Sequence, residues 1–423
     1  MFRWIQCCGA LCVAALGLLA APEYRADEPP LARLTLIQAL EEASARSPVL
    51  QAQRALVEQV EGRLITAKTY PHDPEVVLEG ARREGAGESE TDSGVRIAQV
   101  VQIGGQRGRQ VEQASAELDA ARSRLLREER QLAARVSAAF VESLRARELV
   151  EVEQASIDLA RSLSTVARKR FDAGSVAQME VNLAQVQLGR AERDLRLAVG
   201  AYEVARSLLA EVVGLDPARA PEPDGELDVP TRGELALSDL VNGALAHRAD
   251  LRAFRTTVEA TRARIEVARR EVVPDLALEA FYGREDGTDR LLGGEIGIRI
   301  PLFNRNRGPI AEARAAERRA VADTEAMVLQ VRQEVVAARA RYRASTEAAL
   351  DLERQVLGTL DDHLRLLQRS FESGKTSWTE VLVFRREFVD IQRDYIETLS
   401  EARLAGIELD LAAGSMSDKQ SQP

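Results

Sequence analysis

Hydrophobic residues recur with helical spacing over most of the chain, and the pattern stops at a few glycines and prolines. From about Gly108 to Arg170 the pattern is nearly unbroken, "FDAGS" (171–175) interrupts it, and a return helix is predicted to end at Gly214. A helix of about 65 residues is roughly 100 Å long at about 1.5 Å per residue. Helices of this length predict a rod or tube of antiparallel hairpins rather than a globule.

Shorter segments alternate between apolar and polar residues, as strands with two different faces do. Two strands with an intervening loop are predicted in each half, over 70–84, 93–103, 274–285 and 293–303. Val95 and Ile97 would lie on the opposite face from Arg96, and Leu276 and Leu278 on the opposite face from Glu279. Tilted strands of about 10 residues can cross a bilayer. The smallest known membrane barrels have about eight strands, so the missing strands would come from other copies of the chain. The alternative is a soluble four-stranded sheet covered by helices.

The same order of elements occurs twice, at a constant separation of 200 residues. Matching positions without a gap include Pro74/Pro274, Glu79/Glu279, Phe171/Phe371, Gly174/Gly374, Glu180/Glu380 and Gly214/Gly414. Such a match at the glycines and prolines that separate the elements indicates a tandem duplication. We predict a first repeat at 27–214, a connector without regular structure at 215–233, a second repeat at 234–414 and a disordered tail at 415–423.

The first 26 residues have the features of a secretory signal peptide. Arg3 precedes the apolar run "CCGALCVAALGLLAA", which is short for a membrane span, and the expected cleavage lies between residues 20 and 26. The sequences before Cys7 and Cys12 do not fit a lipid-anchor signal. Because all three cysteines lie in this leader, the exported chain would be stabilised by packing and assembly rather than by disulfides.

Composition and charge exclude several classes of protein. The formal net charge is -10 and basic residues are interspersed with acidic ones, which argues against nucleic-acid binding. His72, His247 and His363 are not spaced as metal ligands, so no metal site of its own is predicted. With no catalytic constellation and no cofactor motif, an enzyme is not expected.

Two strand-to-helix junctions carry the most specific motif. "IPLFNRNRGPIAEARA" (300–315) and "QIGGQRGRQ" (102–110) make the same transition from a strand to a long helix. With the duplicated order of elements, these motifs resemble the outer membrane factor family of TolC-like efflux channels, in its CzcC-like heavy-metal branch. The resemblance covers nearly the whole exported chain.

This resemblance implies a mainly α fold with a small β part. Three copies would form a homotrimer in the outer membrane, with about twelve strands in one β-barrel above a periplasmic tunnel of helical hairpins. A periplasmic adaptor and an inner-membrane pump of the RND class would be its partners. The junction residues Arg107, Gly108, Pro301, Asn304, Arg307 and Gly308 would lie at the lipid or water rim of the barrel, where Pro301 and Gly308 are expected to bend the chain.

The hairpin tips carry the remaining candidate residues. Glycines that follow helix ends close them in the left-handed conformation, as predicted for Gly174 and Gly374, and a phenylalanine is expected to fix each turn. The resemblance places Glu180 and Glu380 at the periplasmic mouth, where six glutamates would attract cations and repel one another, raising some of their pKa values. Leu183 and Val383 occupy positions one turn further on that are often acidic in the family. The candidate tip and adaptor-docking residues are Phe171, Gly174, Phe371, Gly374, Lys375, Thr376 and Trp378.

Alternatives remain at the sequence level. Ser377 and Glu380 have the spacing of a capping box, so Glu380 could instead serve its own helix. The predicted function is passive conduction of heavy-metal cations, such as Co, Zn and Cd or Cu and Ag. One alternative is a channel for drugs or other small organic molecules, and an alternative from another class is a periplasmic coiled-coil adaptor.

Overall fold

The computed structural model describes residues 33–84, 89–230, 233, 236–285, 289–354, 365–366, 369–371, 373 and 375–415. The predicted leader and all of the predicted tail except Ser415 lie outside these residues. Eight helices and four long strands are labelled below. The helices are α1 Leu36–Arg46, α2 Pro48–Lys68, α3 Gln106–Asp172, α4 Gln178–Val213, α5 Leu237–His247, α6 Ala249–Arg270, α7 Arg307–Leu352 and α8 Trp378–Ala413. The strands are β1 Glu75–Glu84, β2 Ser89–Val101, β3 Leu276–Glu285 and β4 Asp289–Ile298.

Local sequence signals set most helix ends. Thr35 caps α1 in a capping box with Gln38, and Pro48 opens α2 directly after Ser47. α3 has 67 residues, and Gly214 follows α4 in the left-handed conformation. The duplication predicts a second long helix over 308–370, and residues 355–364 of that range lie outside the described residues.

Each helical hairpin has an aliphatic core at its base. In the first repeat, Leu132 and Val136 of α3 pack with Leu209 and Val213 of α4 and with Ala39 of α1. In the second repeat, Val331 and Val335 of α7 occupy the corresponding place against Leu409 of α8. Burial of these side chains provides the driving force for pairing, at roughly 1.5–3 kcal/mol for each large one.

The long strands form one antiparallel sheet in the order β1-β2-β3-β4. Nine residue pairs join β2 to β3, from Ser93 opposite Arg284 to Val101 opposite Leu276, so this contact connects the two repeats. β1 and β4 are the edge strands of this sheet. The predicted alternation is confirmed, because Arg96 meets Glu79 and Glu279 on one face while Leu78, Ile97 and Ile296 are exposed on the other.

The hairpin loops are shorter than predicted. Residues 89–92 and 289–291 were assigned to loops, but they belong to β2 and β4, because the ladders extend to the pairs Glu84–Ser89 and Glu285–Asp289. The strand predicted over 293–303 also ends early, at Ile298. Backbone pairing across a hairpin favours strand even where side chains are polar, and alternation alone does not report this.

The connector contains regular structure, contrary to the prediction. Pro217–Arg219 forms a 3₁₀ turn whose N-cap Asp216 accepts a hydrogen bond from the amide of Ala218. Glu222–Pro223 pairs in parallel with Arg33–Leu34. Arginines of the helices then bind connector carbonyls: Arg147 donates to Pro223 and Gly225, and Arg206 to Ala220 and Pro221. This proline-rich segment is therefore ordered by contacts with residues that are distant in the sequence.

The repeats match in structure, but the prediction of one constant separation is wrong. Separations of 201 residues relate the helix caps Thr35 and Ala236, Ser47 and Arg248, and Gly105 and Asn306. At the tips and the return helices the separation is 200, as for Ala177 and Ser377 or Gly214 and Gly414. The change from 201 to 200 falls between the start of the long helix and the tip, so one-residue differences shift the numbering while the elements remain equivalent.

Candidate functional site at the hairpin tips and the strand–helix junctions

The first hairpin tip is a tight turn closed by Gly174. Its φ is 73°, and the amide of Ser175 donates to the Arg170 carbonyl at 2.8 Å, while the amide of Gly174 donates to the Phe171 carbonyl at 2.8 Å. This is the Schellman arrangement, which satisfies carbonyls at the helix end and requires a left-handed residue. Phe171 is half-buried beside the turn.

The second tip is held against the first hairpin by Phe371. Its side chain is 0% exposed and packs with Leu163, Ala167 and Ala184 of the first hairpin and with Val381 of its own. The guanidinium of Arg170 lies 5.1 Å from the centre of its ring. Phe371 therefore joins the two hairpins, which goes beyond the local turn-fixing role that the sequence predicts.

The remaining residues of the second tip are placed in part. The amide of Lys375 donates to the Ser370 carbonyl at 2.9 Å, repeating the bond from Ser175 to Arg170. Lys375 is exposed and Thr376 is half-buried. Trp378 is the first residue of α8, but its side chain, like Gly374, lies outside the described part of the chain.

Glu180 and Glu380 both lie in the first turn of a return helix, but in different local settings. Glu380 forms the capping box with Ser377, since its carboxylate accepts from the Ser377 amide at 2.8 Å and from the Ser377 hydroxyl at 3.0 Å. These two bonds lower the pKa of Glu380. Ala177, the N-cap before Glu180, has no polar side chain, so a capping box is absent there. The predicted pKa increase depends on repulsion among the glutamates of several assembled copies. Within one chain, the capping bonds act on the pKa of Glu380 in the opposite direction.

The strand–helix junctions turn at one predicted residue and at two that were not predicted. The amide of Leu302 donates to the Ile300 carbonyl at 2.9 Å, which closes a tight turn at Pro301 as predicted. Gly105 (φ 70°) and Asn306 (φ 55°) have the left-handed backbone before α3 and α7. Gly308 was expected to bend the chain, but it lies inside the first turn of α7, and the φ of neither Gly308 nor Gly108 is positive. The short side chain of asparagine tolerates this conformation, so the second asparagine of "NRNRG" was the available signal.

Hydrogen bonds fix both junctions to the preceding helices. The Asn306 side chain donates to the Ala268 carbonyl at 2.9 Å and to the Glu271 carboxylate at 3.0 Å. The Asn304 side chain accepts from the Asn306 amide at 3.1 Å. In the first repeat Arg107 donates to the Lys68 carbonyl. These contacts determine the angle at which each long helix leaves the sheet.

A buried glutamine, missed by the sequence analysis, joins the repeats at the first junction. The Gln106 side chain donates to the Val273 carbonyl at 3.0 Å and to the Asp275 carboxylate at 3.1 Å. Gly104 leaves the necessary space, because a Cβ there would lie 2.6 Å from the Cβ of Val273. No sequence pattern relates residues so far apart.

The second junction exposes apolar side chains. Ile300, Leu302 and Phe303 are exposed, and Pro301, between the first two, is half-buried. Arg307 and Gly308 are also exposed at the start of α7. A group of exposed apolar residues next to charged ones is typical of a surface that meets lipid or another protein.

The described residues lack two further features. None of the helices there has both the length and the apolar composition that a membrane span requires. That part of the chain also contains no cluster of three or more His, Cys, Asp or Glu side chains that could hold a metal ion.

Comparison with known proteins agrees with this architecture. The sequence profile of the family described as outer membrane efflux protein matches residues 39–215 and 240–415. Protein CyaE of Bordetella pertussis is 27% identical over 430 residues, spanning 94% of this chain and 88% of that protein. The nickel-cobalt-cadmium resistance protein NccC of Alcaligenes xylosoxydans xylosoxydans is 28% identical over 360 residues, spanning 80% and 75%. The crystal structure of VceC from Vibrio cholerae superimposes with a TM-score of 0.73 at 21% identity, covering 90% of this chain and 96% of that one.

The profile matches once in each repeat, and the two matches together span most of the chain. They include the hairpins and the sheet described above. The chain therefore belongs to the outer membrane efflux protein family, whose members are outer-membrane channels extending into the periplasm rather than enzymes.

Proposed function

We propose that three copies of this chain form one passive channel that conducts heavy-metal cations out of the periplasm. The substrates would be divalent ions such as cobalt, zinc and cadmium, or monovalent copper and silver. Channels of this family are homotrimers that work with an adaptor and an inner-membrane pump. Here an RND-type pump would supply the energy and an adaptor would join it to the hairpin tips. Family membership rules out the adaptor alternative for the chain itself.

The main observation that supports a channel is the sheet with two chemically different faces. One face is apolar and exposed, as contact with lipid requires, and the other carries Arg96 between Glu79 and Glu279. Since open strand edges cannot remain unpaired in lipid, β1 and β4 require strands from other copies. A closed barrel of three such sheets would have its charged face towards the lumen.

The metal assignment is supported by similarity and by the tips. NccC, one of the similar proteins, is described as a nickel-cobalt-cadmium resistance protein. Glu180 and Glu380 place a carboxylate in the first turn beyond each tip, so three chains would bring six to the mouth. Rings of carboxylates favour cations over anions. Ion specificity would then belong to the pump and the adaptor.

Growth inhibition provides the test. A strain lacking the gene, with and without a plasmid copy, is exposed to zinc, cobalt, cadmium, copper, silver and several lipophilic drugs. Tolerance restored to one or two metals alone supports the proposal. Tolerance restored to drugs alone retains the channel and overturns the metal assignment. Fractionation of the complemented strain checks that the protein is in the outer membrane as a trimer.

A further inference from the structure

The edge strands of the sheet have counterparts inside the sheet, and these counterparts define how two copies can pair. The contact between β2 and β3 joins the first repeat to the second and is called the repeat seam here. By the duplication, β4 is equivalent to β2 and β1 is equivalent to β3. An edge-to-edge contact between copies would thus bring together the same two kinds of strand as the repeat seam.

Side-chain direction fixes which residues are equivalent. Glu79 and Glu279 match in the duplicated sequence and both meet Arg96 on one face, so β1 and β3 correspond at a separation of 200. Val77 pairs with Arg96, and Ala277 pairs with Gly297. Arg96 therefore corresponds to Gly297, and β2 and β4 correspond at a separation of 201. Val77 and Arg96 are 19 positions apart and Ala277 and Gly297 are 20 apart, so the hairpin of β3 and β4 contains one extra residue between equivalent positions.

The pairs of the repeat seam then translate into pairs between copies. In the seam, Gln99 is opposite Leu278 and Ala98 is opposite Glu279. The equivalent of Gln99 is Ile300, and the equivalent of Leu278 is Leu78. By the same rule Arg299 corresponds to Ala98, and Glu79 to Glu279.

We propose that the contact between copies repeats the seam, with Ile300 of one copy opposite Leu78 of the next and Arg299 opposite Glu79 of the next. β4 thus continues by two residues beyond Ile298 once a neighbouring strand is present. This inference rests on the trimeric assembly of the proposed function and specifies its register. The partner surface is a second copy of the same chain.

Charge and exposure favour this register over its neighbours. A slip of one residue would turn the apolar face of one strand to the charged face of the other. Slips of two residues would place Arg299 opposite Val77 or Ala81, without a carboxylate. In the proposed register Arg299 meets Glu79, which already binds Arg96 at 2.8 Å, so the charged face becomes a row of alternating signs. On the opposite face, Leu78 (81% exposed) and Ile300 (66% exposed) cover each other.

Cysteine pairs test the register directly. Opposite residues of an antiparallel ladder have Cα atoms about 4.5–5.5 Å apart, within disulfide reach. The sequence has no cysteine after Cys12, so introduced cysteines are the reporters. Leu78→Cys with Ile300→Cys should give two-chain and three-chain bands on a non-reducing gel after mild oxidation of outer membranes. Leu78→Cys with Ile298→Cys is the control for a shifted register and should give only weak multimer bands.

A matched control separates the seam from the contact between copies. Gln99→Cys with Leu278→Cys should close within one chain and leave a single-chain band, because these residues face each other across β2 and β3. Stronger multimers from the Ile298 pair would overturn the register. A third result is that neither edge pair gives multimers although the protein remains a trimer in detergent. That result would overturn the proposal that the contact between copies repeats the seam, and it would leave the proposed channel intact. A chain that is monomeric in detergent would instead refute the proposed assembly.

Discussion

A buried ion pair between the two hairpins is the clearest target for a stability measurement. Glu153 of α3 is 4% exposed and accepts a hydrogen bond from Nε of Arg393 at 2.7 Å. Apolar residues Val152 and Phe388 pack close by. Removing one partner of a buried pair leaves an uncompensated charge and costs about 3–5 kcal/mol. The Arg393 side chain is 37% exposed, so water partly compensates and the expected cost is lower.

Replacement of Arg393 by methionine should lower the free energy of unfolding by about 2–3 kcal/mol. The double variant Glu153→Leu with Arg393→Met should lose less than this single variant, because the Glu153 carboxylate is no longer left buried without Arg393. Arg386→Met is the matched control on the same helix. Arg386 is 86% exposed and 3.6 Å from Asp390, so its loss should cost below about 0.5 kcal/mol.

The assay is urea unfolding of the detergent-solubilised protein, followed by circular dichroism at the helical signal. If the double variant is as unstable as Arg393→Met or more so, the buried charge is not the source of the cost. A large loss for Arg386→Met would indicate that charge on α8 in general, rather than this pair, stabilises the hairpins. Arg385 is a second cation near Glu153, and burial lowers its pKa, so it is left unchanged in all variants.

Three further outcomes are expected. Gly104→Ala should lower the thermal midpoint, because its Cβ would lie 2.6 Å from a neighbouring side chain, whereas Gly108→Ala meets nothing within 4 Å and should be neutral or slightly stabilising. Glu180→Gln together with Glu380→Gln should reduce cation selectivity in planar bilayers, and glutamine retains the capping bond to Ser377. The stabilising difference between the wild type and Glu380→Ala should be present above pH 4.5 and fade as pH falls below it, because the folded-state pKa of Glu380 lies below the ordinary value.

Each of these outcomes has a contrary result. Equal midpoints for Gly104→Ala and Gly108→Ala would show that the first junction tolerates a side chain. Unchanged selectivity and conductance in the double glutamine variant would show that the glutamates do not line the lumen. A difference between wild type and Glu380→Ala that persists well below pH 4.5 would show that the alanine variant acts through something other than the carboxylate cap.

Local sequence signals were sufficient to predict the helices and the hairpin tips. Thr35, Pro48 and Gly214 act within a few residues of their own positions, so the sequence showed them directly. The duplication and the alternation of the strands were equally visible. The predicted bend at Gly308 failed because a glycine can also occupy an ordinary helical turn, and the identity of a residue does not reveal its φ.

Contacts between distant segments decided the rest. Phe371 fixes one hairpin against the other, Gln106 binds across the repeats, and the connector is ordered by arginines of the helices. The register of the sheet also came from the structure, because one-residue differences between the repeats change the numbering without changing the pattern. The sequence by itself determined the elements, their order and their faces, since those depend on neighbours along the chain. Only the tertiary structure decided which faces meet and in what register, because those depend on packing between residues that the chain brings together from far apart.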